Sequence, residues 1–170
     1  QHVGIVGSGA MGRGIAQLFA QAGIAVRLFD TNPQALASAL AALDDTFTKL
    51  VDKGRLPADA AQRARAALSS VDSLDALAGC DLVVEAIIER LDAKQELFRA
   101  LEPIVGDEAV LATNTSSLPV TAIAARCARP QRVAGLHFFN PVPLMKVVEV
   151  VRAARTDETV VERLVGLVRA

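Results

Sequence analysis

A glycine-rich turn near the amino terminus constrains the fold of this chain more than any other feature. The run from His2 to Ala16 contains a short apolar strand, a tight turn and the first turns of a helix. Gly7, Gly9 and Gly12 have the G-x-G-x-x-G spacing, which permits the sharp turn, lets a pyrophosphate approach the backbone, and lets the helix pack against the strand. Free N–H groups at the helix start also favour phosphates. We therefore expect a dinucleotide to bind over the turn Gly7, Ser8, Gly9, Ala10, Met11 and Gly12.

An acidic residue follows the second apolar strand, at the position that selects the nucleotide. Asp30 comes directly after Ala25–Phe29, at the distance beyond Gly12 that the pattern requires. A carboxylate there accepts hydrogen bonds from both ribose hydroxyls of an adenosine and repels a 2′-phosphate. Asp30 could instead be a turn residue in a βαβ unit that binds no nucleotide. The strand context favours the first interpretation, so we expect NAD rather than NADP.

The composition excludes several classes of protein. The net charge of -1 gives no electrostatic support for nucleic-acid binding. No apolar run is long enough to span a membrane, and the best candidate, 82–88, is interrupted by Glu85. Cys80 and Cys127 show no metal-ligand spacing, so we expect no metal site, two reduced thiols and a cytoplasmic location.

Apolar strands alternate with helical patterns along the chain, which predicts a parallel sheet covered on both faces. We expect an α/β fold with a Rossmann-like, doubly wound, mostly parallel sheet, forming one NAD-binding domain over residues 1–170. Asn32-Pro33 opens a long helix that ends at Gly54, and a second helix begins at Pro57. These two helices predict a helical hairpin inserted after the second strand.

The same patterns predict the other boundaries. We expect strands near 70–73, 81–88, 109–112, 132–139 and 147–152, and helices near 11–22, 57–68, 91–101 and 119–128. The loop that contains Pro141 and Pro143 is too short for a crossover helix. The last strand is therefore expected to run antiparallel to the strand before it.

Polar residues concentrate at the carboxyl ends of the strands, where ligands bind in open α/β sheets. His137 ends a strand at this edge, whereas His2 precedes a strand at the opposite edge. The polar set at the ligand edge is Asp30, Glu89, Asn114, Ser116, Ser117, His137 and Asn140.

Four segments of the chain, at 7–16, 83–89, 113–118 and 135–150, resemble the 3-hydroxyacyl-CoA dehydrogenase family in order and spacing. The most specific is Gly-Leu-His-Phe-Phe-Asn-Pro-Val-Pro-Leu-Met-Lys-Val-Val-Glu-Val. The resemblance covers essentially the whole chain and implies NAD-dependent oxidation of an (S)-3-hydroxyacyl-CoA to the 3-oxoacyl-CoA. Members of the family also carry a C-terminal helical domain that forms a homodimer. That domain is absent from this chain, which we expect to be part of a longer polypeptide.

The resemblance also implies roles for individual residues. His137 matches the catalytic histidine, Glu149 its acidic partner, and Ser116 a serine that contacts substrate and cofactor. The implied cofactor-binding residues are those of the glycine turn, with Asp30, Glu89, Lys94, Asn114 and Ser116. The implied substrate-binding residues are Ser116, Asn140, Thr46, Lys49 and Lys53.

The chemistry of a His–Glu pair suits this reaction. Hydride leaves a carbinol carbon readily only as the hydroxyl proton is withdrawn, and a positioned imidazole contributes roughly 10²–10⁴-fold to such a step. A carboxylate on the far ring nitrogen fixes the tautomer and stabilises the imidazolium. From the pattern alone, His137 could equally be a core histidine bonded to a backbone carbonyl, with Glu149 exposed on an edge. The flanking motif favours catalysis.

Other residues of the site also have two interpretations. Ser116 could bind a ligand or cap the following helix, although Ser117 is better placed as the cap. Asn140 could orient the loop after His137 or satisfy a proline-containing turn. Glu85 lies within a buried strand and could be structural, so Glu89 is the better candidate for ligand binding.

Thr46, Lys49 and Lys53 share one helix face, and Arg55 extends it into a cationic stripe. This stripe could hold the phosphates of CoA, or it could be a solvated helix face. Two other functions stay open: an isolated NAD-binding module, and a Rossmann dehydrogenase of small hydroxy acids. The segment 135–150 argues against the second.

Overall fold

The computed structural model describes residues 1–169, which form seven strands and six α-helices. The strands are β1 (His2–Val6), β2 (Ala25–Phe29), β3 (Leu68–Ser70), β4 (Leu82–Glu85), β5 (Val110–Thr113), β6 (Val133–Phe138) and β7 (Val148–Arg152). The helices are α1 (Ala10–Gln21), α2 (Pro33–Asp52), α3 (Ala58–Ala67), α4 (Leu91–Leu101), α5 (Val120–Ala124) and α6 (Glu158–Arg169), with short 3₁₀ turns at Leu74–Leu77 and Pro130–Arg132.

All seven strands belong to one sheet, in the order β3-β2-β1-β4-β5-β6-β7. Neighbouring strands from β3 to β6 are parallel, and only β7 runs antiparallel to its neighbour β6. The order reverses between β1 and β4, which creates a crevice at the carboxyl ends of these strands. The predicted doubly wound sheet with an antiparallel last strand is thus confirmed.

The central strands are apolar on both faces because a hydrophobic core lies on each side of the sheet. In β1, Val3 and Ile5 join the core formed with α1, α2, α3 and α6, and Val6 joins the core formed with α4 and α5. The alternation follows from the strand period of two residues. The ligand edge therefore lies on a rigid frame.

The helical hairpin α2–α3 follows β2, as the sequence predicts. Asn32 caps α2 by accepting hydrogen bonds from two backbone N–H groups, with Pro33 in the first turn. Arg65 of α3 binds Asp44 of α2 at 2.5 Å, and its guanidinium lies 5.8 Å from the ring centre of buried Phe47. These contacts join the two helices of the hairpin.

Two strands differ from the sequence-based boundaries. The pattern predicts a strand over 70–73, whereas β3 begins at Leu68, directly after α3, where Leu68 pairs with Val26. The pattern also predicts a strand over 81–88, whereas β4 ends at Glu85. The Glu85 carboxylate accepts a hydrogen bond of 2.8 Å from the backbone N–H of Ile87, so the chain leaves the ladder there.

Helix α5 ends at Ala124, although the sequence predicts a helix over 119–128. The carboxylate of Glu102 accepts hydrogen bonds from the backbone N–H groups of Ala128 at 2.7 Å and Arg129 at 2.8 Å. These two N–H groups are therefore not available for the backbone hydrogen bonds that would continue the helix. The other helix boundaries agree within one or two residues, the usual uncertainty at helix ends.

Both cysteines are free and buried, as expected for reduced thiols. Burial raises the pKa of the Cys127 thiol to about 11. Over residues 1–169, the helices are too short or too polar to cross a membrane.

Candidate active site

Two adjoining cavities open at the carboxyl ends of β1 and β4. One, of about 520 Å³, is lined by the glycine turn and Asp30, and the other, of about 330 Å³, by His137 and Ser116. Ala86 and Ile87 contribute to both cavities. They therefore form one crevice, which runs from Asp30 at one end to His137 at the other.

The glycine turn has the shape that a pyrophosphate requires. Gly7 has a φ of 103°, and a Cβ on Gly12 would lie 1.8 Å from the carbonyl oxygen of Gly7. A Cβ on Gly9, in contrast, would meet nothing within 4 Å, so the backbone there is open to a ligand. No side chain among the described residues caps α1, which leaves its first N–H groups directed at this space. The turn therefore fits a dinucleotide.

Asp30 lies at the far end of the crevice and is held in place by three donors. Its Oδ2 accepts from the backbone N–H and the hydroxyl of Ser8, both at 2.7 Å, and its Oδ1 accepts from Asn32 N–H at 2.9 Å. Burial raises the pKa of Asp30, but these hydrogen bonds outweigh it and lower the pKa below its ordinary value. Asp30 is therefore a fixed anion, and Ser8 supports it. A larger cavity of about 760 Å³, between α2 and β3, also borders Asp30 but lies away from His137.

The antiparallel pairing of β6 and β7 places His137 directly opposite Glu149. His137 Nδ1 lies 3.0 Å from Glu149 Oε2, and the side chains are 16% and 56% exposed. Phe139 packs against the imidazole with ring centres 4.5 Å apart. Because Nδ1 is occupied by Glu149, the other ring nitrogen, Nε2, is left for a second partner in the cavity.

A charged cluster borders the same cavity, and Glu89 and Lys94 both line it. Lys94 of α4 is 1% exposed, and its Nζ lies 2.5 Å from Glu85 Oε1 and 3.2 Å from Glu89 Oε2. Thr113 donates to Glu85 Oε2 at 2.7 Å. Burial raises the pKa of Glu89, but hydrogen bonds from Thr115 and Lys94 outweigh it and lower the pKa to about 2. Glu85 is thus a structural carboxylate, as the sequence suggests.

The loop after β5 brings Ser116 to the cavity. Asn114 joins it to β6, because its Oδ1 accepts from the backbone N–H of Phe138 at 2.8 Å. Ser116 is exposed and lines the cavity. The sequence predicts that Ser117 caps the following helix, and this prediction is wrong. The hydroxyl that accepts a hydrogen bond from the loop, from Leu118 N–H at 3.0 Å, is Oγ1 of Thr115. Thr115 carries a hydroxyl, as Ser117 does, and lies two residues earlier in the chain. Nothing in the sequence distinguishes which of the two hydroxyls makes this contact.

A smaller cavity, of about 190 Å³, adjoins the His137 cavity at Asn140, which lines both. Thr46 of α2 and Arg13 of α1 both line it. Arg13 is a residue that the sequence analysis does not identify, although it directly follows the glycine turn. Lys49 and Lys53 border none of these cavities: Lys49 is exposed and paired with Asp45 at 2.6 Å, and Lys53 is exposed just beyond α2.

Comparison with known proteins finds relatives that match nearly the whole chain. The profile described as "3-hydroxyacyl-CoA dehydrogenase, NAD binding domain" matches residues 2–170. The 3-hydroxyadipyl-CoA dehydrogenase of Escherichia coli K12 is 45% identical over 167 residues, which are 98% of this chain and 35% of that protein. A probable 3-hydroxybutyryl-CoA dehydrogenase of Bacillus subtilis is 42% identical over 93% of this chain and 55% of that protein.

Solved structures show the same relationship. The crystal structure of 3-hydroxybutyryl-CoA dehydrogenase from Escherichia coli K12 superposes with a TM-score of 0.98 and 44% identity, covering 99% of this chain and 36% of that one. The chain thus spans about a third to just over half the length of these relatives. The match to an NAD-binding domain confirms the expected cofactor. The chain therefore belongs to the 3-hydroxyacyl-CoA dehydrogenase family, as its NAD-binding domain.

Proposed function

We propose that the protein containing this chain oxidises (S)-3-hydroxyacyl-CoA to 3-oxoacyl-CoA, with NAD as the hydride acceptor. The observation that carries the proposal is the contact of 3.0 Å between His137 Nδ1 and Glu149 Oε2, in a cavity continuous with the glycine turn. The family relationship supports the same reaction, since the relatives are named as hydroxyacyl-CoA dehydrogenases.

His137 acts as the general base. Glu149 accepts a hydrogen bond from Nδ1–H of His137, which leaves the Nε2 lone pair free to remove the substrate hydroxyl proton. The carboxylate then stabilises the imidazolium that forms. The hydroxyl of Ser116, at the same cavity, donates a hydrogen bond to the substrate oxygen as it becomes a carbonyl. NAD, bound over the glycine turn, supplies the acceptor for the hydride.

The nucleotide specificity depends on Asp30. Its fixed carboxylate, held by Ser8 and Asn32, accepts hydrogen bonds from the ribose hydroxyls and repels a 2′-phosphate. Asn114 joins the loop after β5 to the end of β6, and so holds together the two segments that line the cavity for the nicotinamide.

The acyl-CoA extends from His137 past Asn140 into the small cavity between α1 and α2. Thr46 and Arg13 line this cavity, and the exposed ammonium groups of Lys49 and Lys53 continue along α2. We propose that this surface binds the CoA arm, with Asn140 between the two cavities. We also propose that a helical domain elsewhere in the polypeptide, which the family resemblance implies, completes the site and forms a homodimer.

Replacement of His137 tests the reaction. In the natural polypeptide that contains this chain, His137→Gln should lower kcat for acetoacetyl-CoA reduction by roughly 10²–10⁴-fold, because the proton donor and acceptor is lost. NADH binding should persist, since the glycine turn is untouched. NADH fluorescence measures this binding. Unchanged turnover in this variant would contradict the role of His137.

A second candidate function is that of a cofactor-binding module, inactive without a partner domain. The observation in its favour is that the chain covers only 35% and 55% of the length of two relatives. Mixing the 170-residue chain with NADH and acetoacetyl-CoA separates the two functions. NADH binding without oxidation supports the module, and oxidation shows that the domain alone is an active enzyme.

A further inference from the structure

We infer that Arg13 binds a phosphate group of the CoA moiety, and so selects CoA thioesters over thioesters of the bare pantetheine arm. The inference rests on the proposed function, because it assumes that an acyl-CoA lies in the cavity between α1 and α2. The sequence pattern does not single out Arg13, since it directly follows the glycines that serve the dinucleotide.

The cavity that Arg13 borders suits one part of a long ligand. Its volume of about 190 Å³ is below the roughly 300–1,000 Å³ of pockets that enclose a whole small molecule. Leu43, Val142 and two prolines supply apolar walls, and Thr46 and Asn140 supply polar groups. A pantetheine arm has the same mixture of methyl groups and amides. The phosphates of CoA then lie outside the enclosed space, where the cavity meets solvent.

Arg13 stands at this boundary with its charge available. Its backbone N–H donates to the carbonyl oxygen of Gly9 at 2.9 Å, which fixes the residue in the first turn of α1. The side chain is exposed, and over residues 1–169 its guanidinium forms no ion pair. A guanidinium presents N–H donors in a planar fork that matches the oxygens of a phosphate. Arg13 can therefore bind an anion without first breaking an ion pair within the protein.

The carboxylates on the facing part of α2 already have partners. Asp44 is bound to Arg65 at 2.5 Å, and Asp45 to Lys49 at 2.6 Å. Among the described residues that line the cavity, Arg13 alone is charged. Because the whole chain has a net charge of -1, a polyanion such as CoA depends on a local cation of this kind.

Helix α1 keeps Arg13 apart from the dinucleotide. Gly7 and Gly9 line the nucleotide crevice, whereas Arg13 borders the small cavity and neither part of that crevice. A Cβ on Gly14 would lie 2.8 Å from the Cβ of Val142, so the loop after β6 packs directly on α1 beside Arg13. One helix therefore serves two ligands, the dinucleotide at its glycine turn and the CoA phosphate at Arg13.

The test compares Arg13→Gln with the unaltered protein, in the natural polypeptide that contains this chain. The substrates are acetoacetyl-CoA and acetoacetyl-pantetheine, which carries no phosphate. Arg13→Gln should raise the KM for acetoacetyl-CoA about tenfold, the loss of one exposed hydrogen bond to a charged group. The kcat should change by less than about twofold, because the contact is equally strong before and during the reaction. The KM for acetoacetyl-pantetheine should also stay within about twofold, since no phosphate contact is lost.

Two further variants of the experiment extend this comparison. Arg13→Lys keeps the positive charge and should recover most of the affinity for acetoacetyl-CoA. Calorimetric titration with free CoA should give about a tenfold higher Kd for Arg13→Gln, without any need for turnover. Acetoacetyl-dephospho-CoA identifies the group that is bound: the effect of Arg13→Gln persists if this group is the pyrophosphate and disappears if it is the 3′-phosphate. Either result supports the inference.

Arg99→Gln is the matched control, because Arg99 is an exposed arginine of α4 that borders none of these cavities. It removes the same charge and should leave every KM and Kd unchanged. Equal rises in the KM for acetoacetyl-CoA and for acetoacetyl-pantetheine in Arg13→Gln would overturn the inference, as would an unchanged Kd for CoA. Weaker NADH binding with an unchanged KM for acetoacetyl-CoA would overturn it too, by assigning Arg13 to the dinucleotide.

Failure of the proposed function gives a different result. If the unaltered protein does not oxidise NADH with acetoacetyl-CoA, the proposed function fails, and the Kd for free CoA still tests Arg13. Normal turnover with an unchanged KM in Arg13→Gln contradicts only the role of Arg13.

Discussion

At the scale of single residues, three glutamates near one cavity differ in function because they differ in surroundings. Glu85 is fully buried and bound to Lys94, Glu89 is 38% exposed and holds a loop, and Glu149 is 56% exposed beside His137. A carboxylate that accepts donors from the backbone supports structure, whereas one that faces an imidazole sets its tautomer. The environment, not the residue type, decides among these roles.

Glu149→Gln should lower kcat about 10- to 150-fold, because a hydrogen bond to a charged group contributes roughly 1.5–3 kcal/mol. An amide oxygen can still accept a hydrogen bond from Nδ1–H, but it cannot neutralise the imidazolium, so the loss should lie below that of His137→Gln. Steady-state kinetics with acetoacetyl-CoA measures both. Glu162→Gln, at an exposed position of α6, is the control and should not change kcat. Equal losses for Glu149→Gln and the control would contradict the pairing.

The lowered pKa of Glu89 predicts a dependence of stability on pH. Because its pKa in the folded protein is about 2, below the ordinary 4.5, the ionised carboxylate stabilises the fold above pH 4.5. This contribution should be lost as the pH falls from 4.5 to about 2. Urea unfolding of the unaltered protein and Glu89→Gln should therefore give free energies of unfolding that converge over this range. A difference that grows as the pH falls would show that the carboxylate is not ionised in the fold.

At the scale of elements, the β1–α1 unit combines side-chain packing with a close backbone contact. The carbonyl of Gly7 fills the space where a Cβ of Gly12 would lie, so the turn after β1 and helix α1 touch through their backbones. The hairpin α2–α3, in contrast, depends on side-chain pairs such as Arg65 with Asp44. Substitutions should therefore affect the two elements differently.

Gly12→Ala should destabilise the domain and abolish NADH binding, because the new Cβ would lie 1.8 Å from a backbone oxygen. The matched control is Gly166→Ala in α6, where a Cβ meets nothing within 4 Å. That change should stabilise the protein by about 0.4–1 kcal/mol, through reduced freedom of the unfolded chain. Thermal unfolding and NADH fluorescence measure the two effects. NADH binding by Gly12→Ala as tight as that of the control would contradict the close packing.

At the scale of the whole molecule, the crevice lies where the two halves of the sheet meet. Asp30 belongs to the half built on β2, and His137 to the half that ends with β6 and β7. A dinucleotide bound over the glycine turn would contact both halves at once. Binding should therefore stabilise the entire domain rather than one loop.

NADH at about a hundredfold excess over its Kd should add about 2.7 kcal/mol to the free energy of unfolding. For a domain of this size that corresponds to a rise in melting temperature of roughly 5–10 °C. Scanning fluorimetry with an external dye, or calorimetry, measures the shift. Gly12→Ala should show none. A shift of the same size with NADPH would contradict the discrimination attributed to Asp30.

The order of elements, the glycine turn and the position of Asp30 follow from local patterns, since period-two strands, helix caps and tight turns depend on residues close in the chain. The antiparallel last strand also follows, because the loop with Pro141 and Pro143 cannot hold a helix. Ends of elements were less predictable. Beyond β4 the carboxylate of Glu85 accepts from a nearby backbone N–H group, and beyond α5 the carboxylate of Glu102, from a distant part of the chain, accepts from two.

Sequence alone determined which chemical groups arrive at the ligand edge of the sheet. Only the tertiary structure decided how they are used: that Lys94 is buried between two carboxylates, that Thr115 rather than Ser117 closes its loop, and that Arg13 and Thr46 line one cavity. These contacts join residues from different strands and helices. Their energies depend on burial and on competing hydrogen-bond partners, which exist only once the chain is packed.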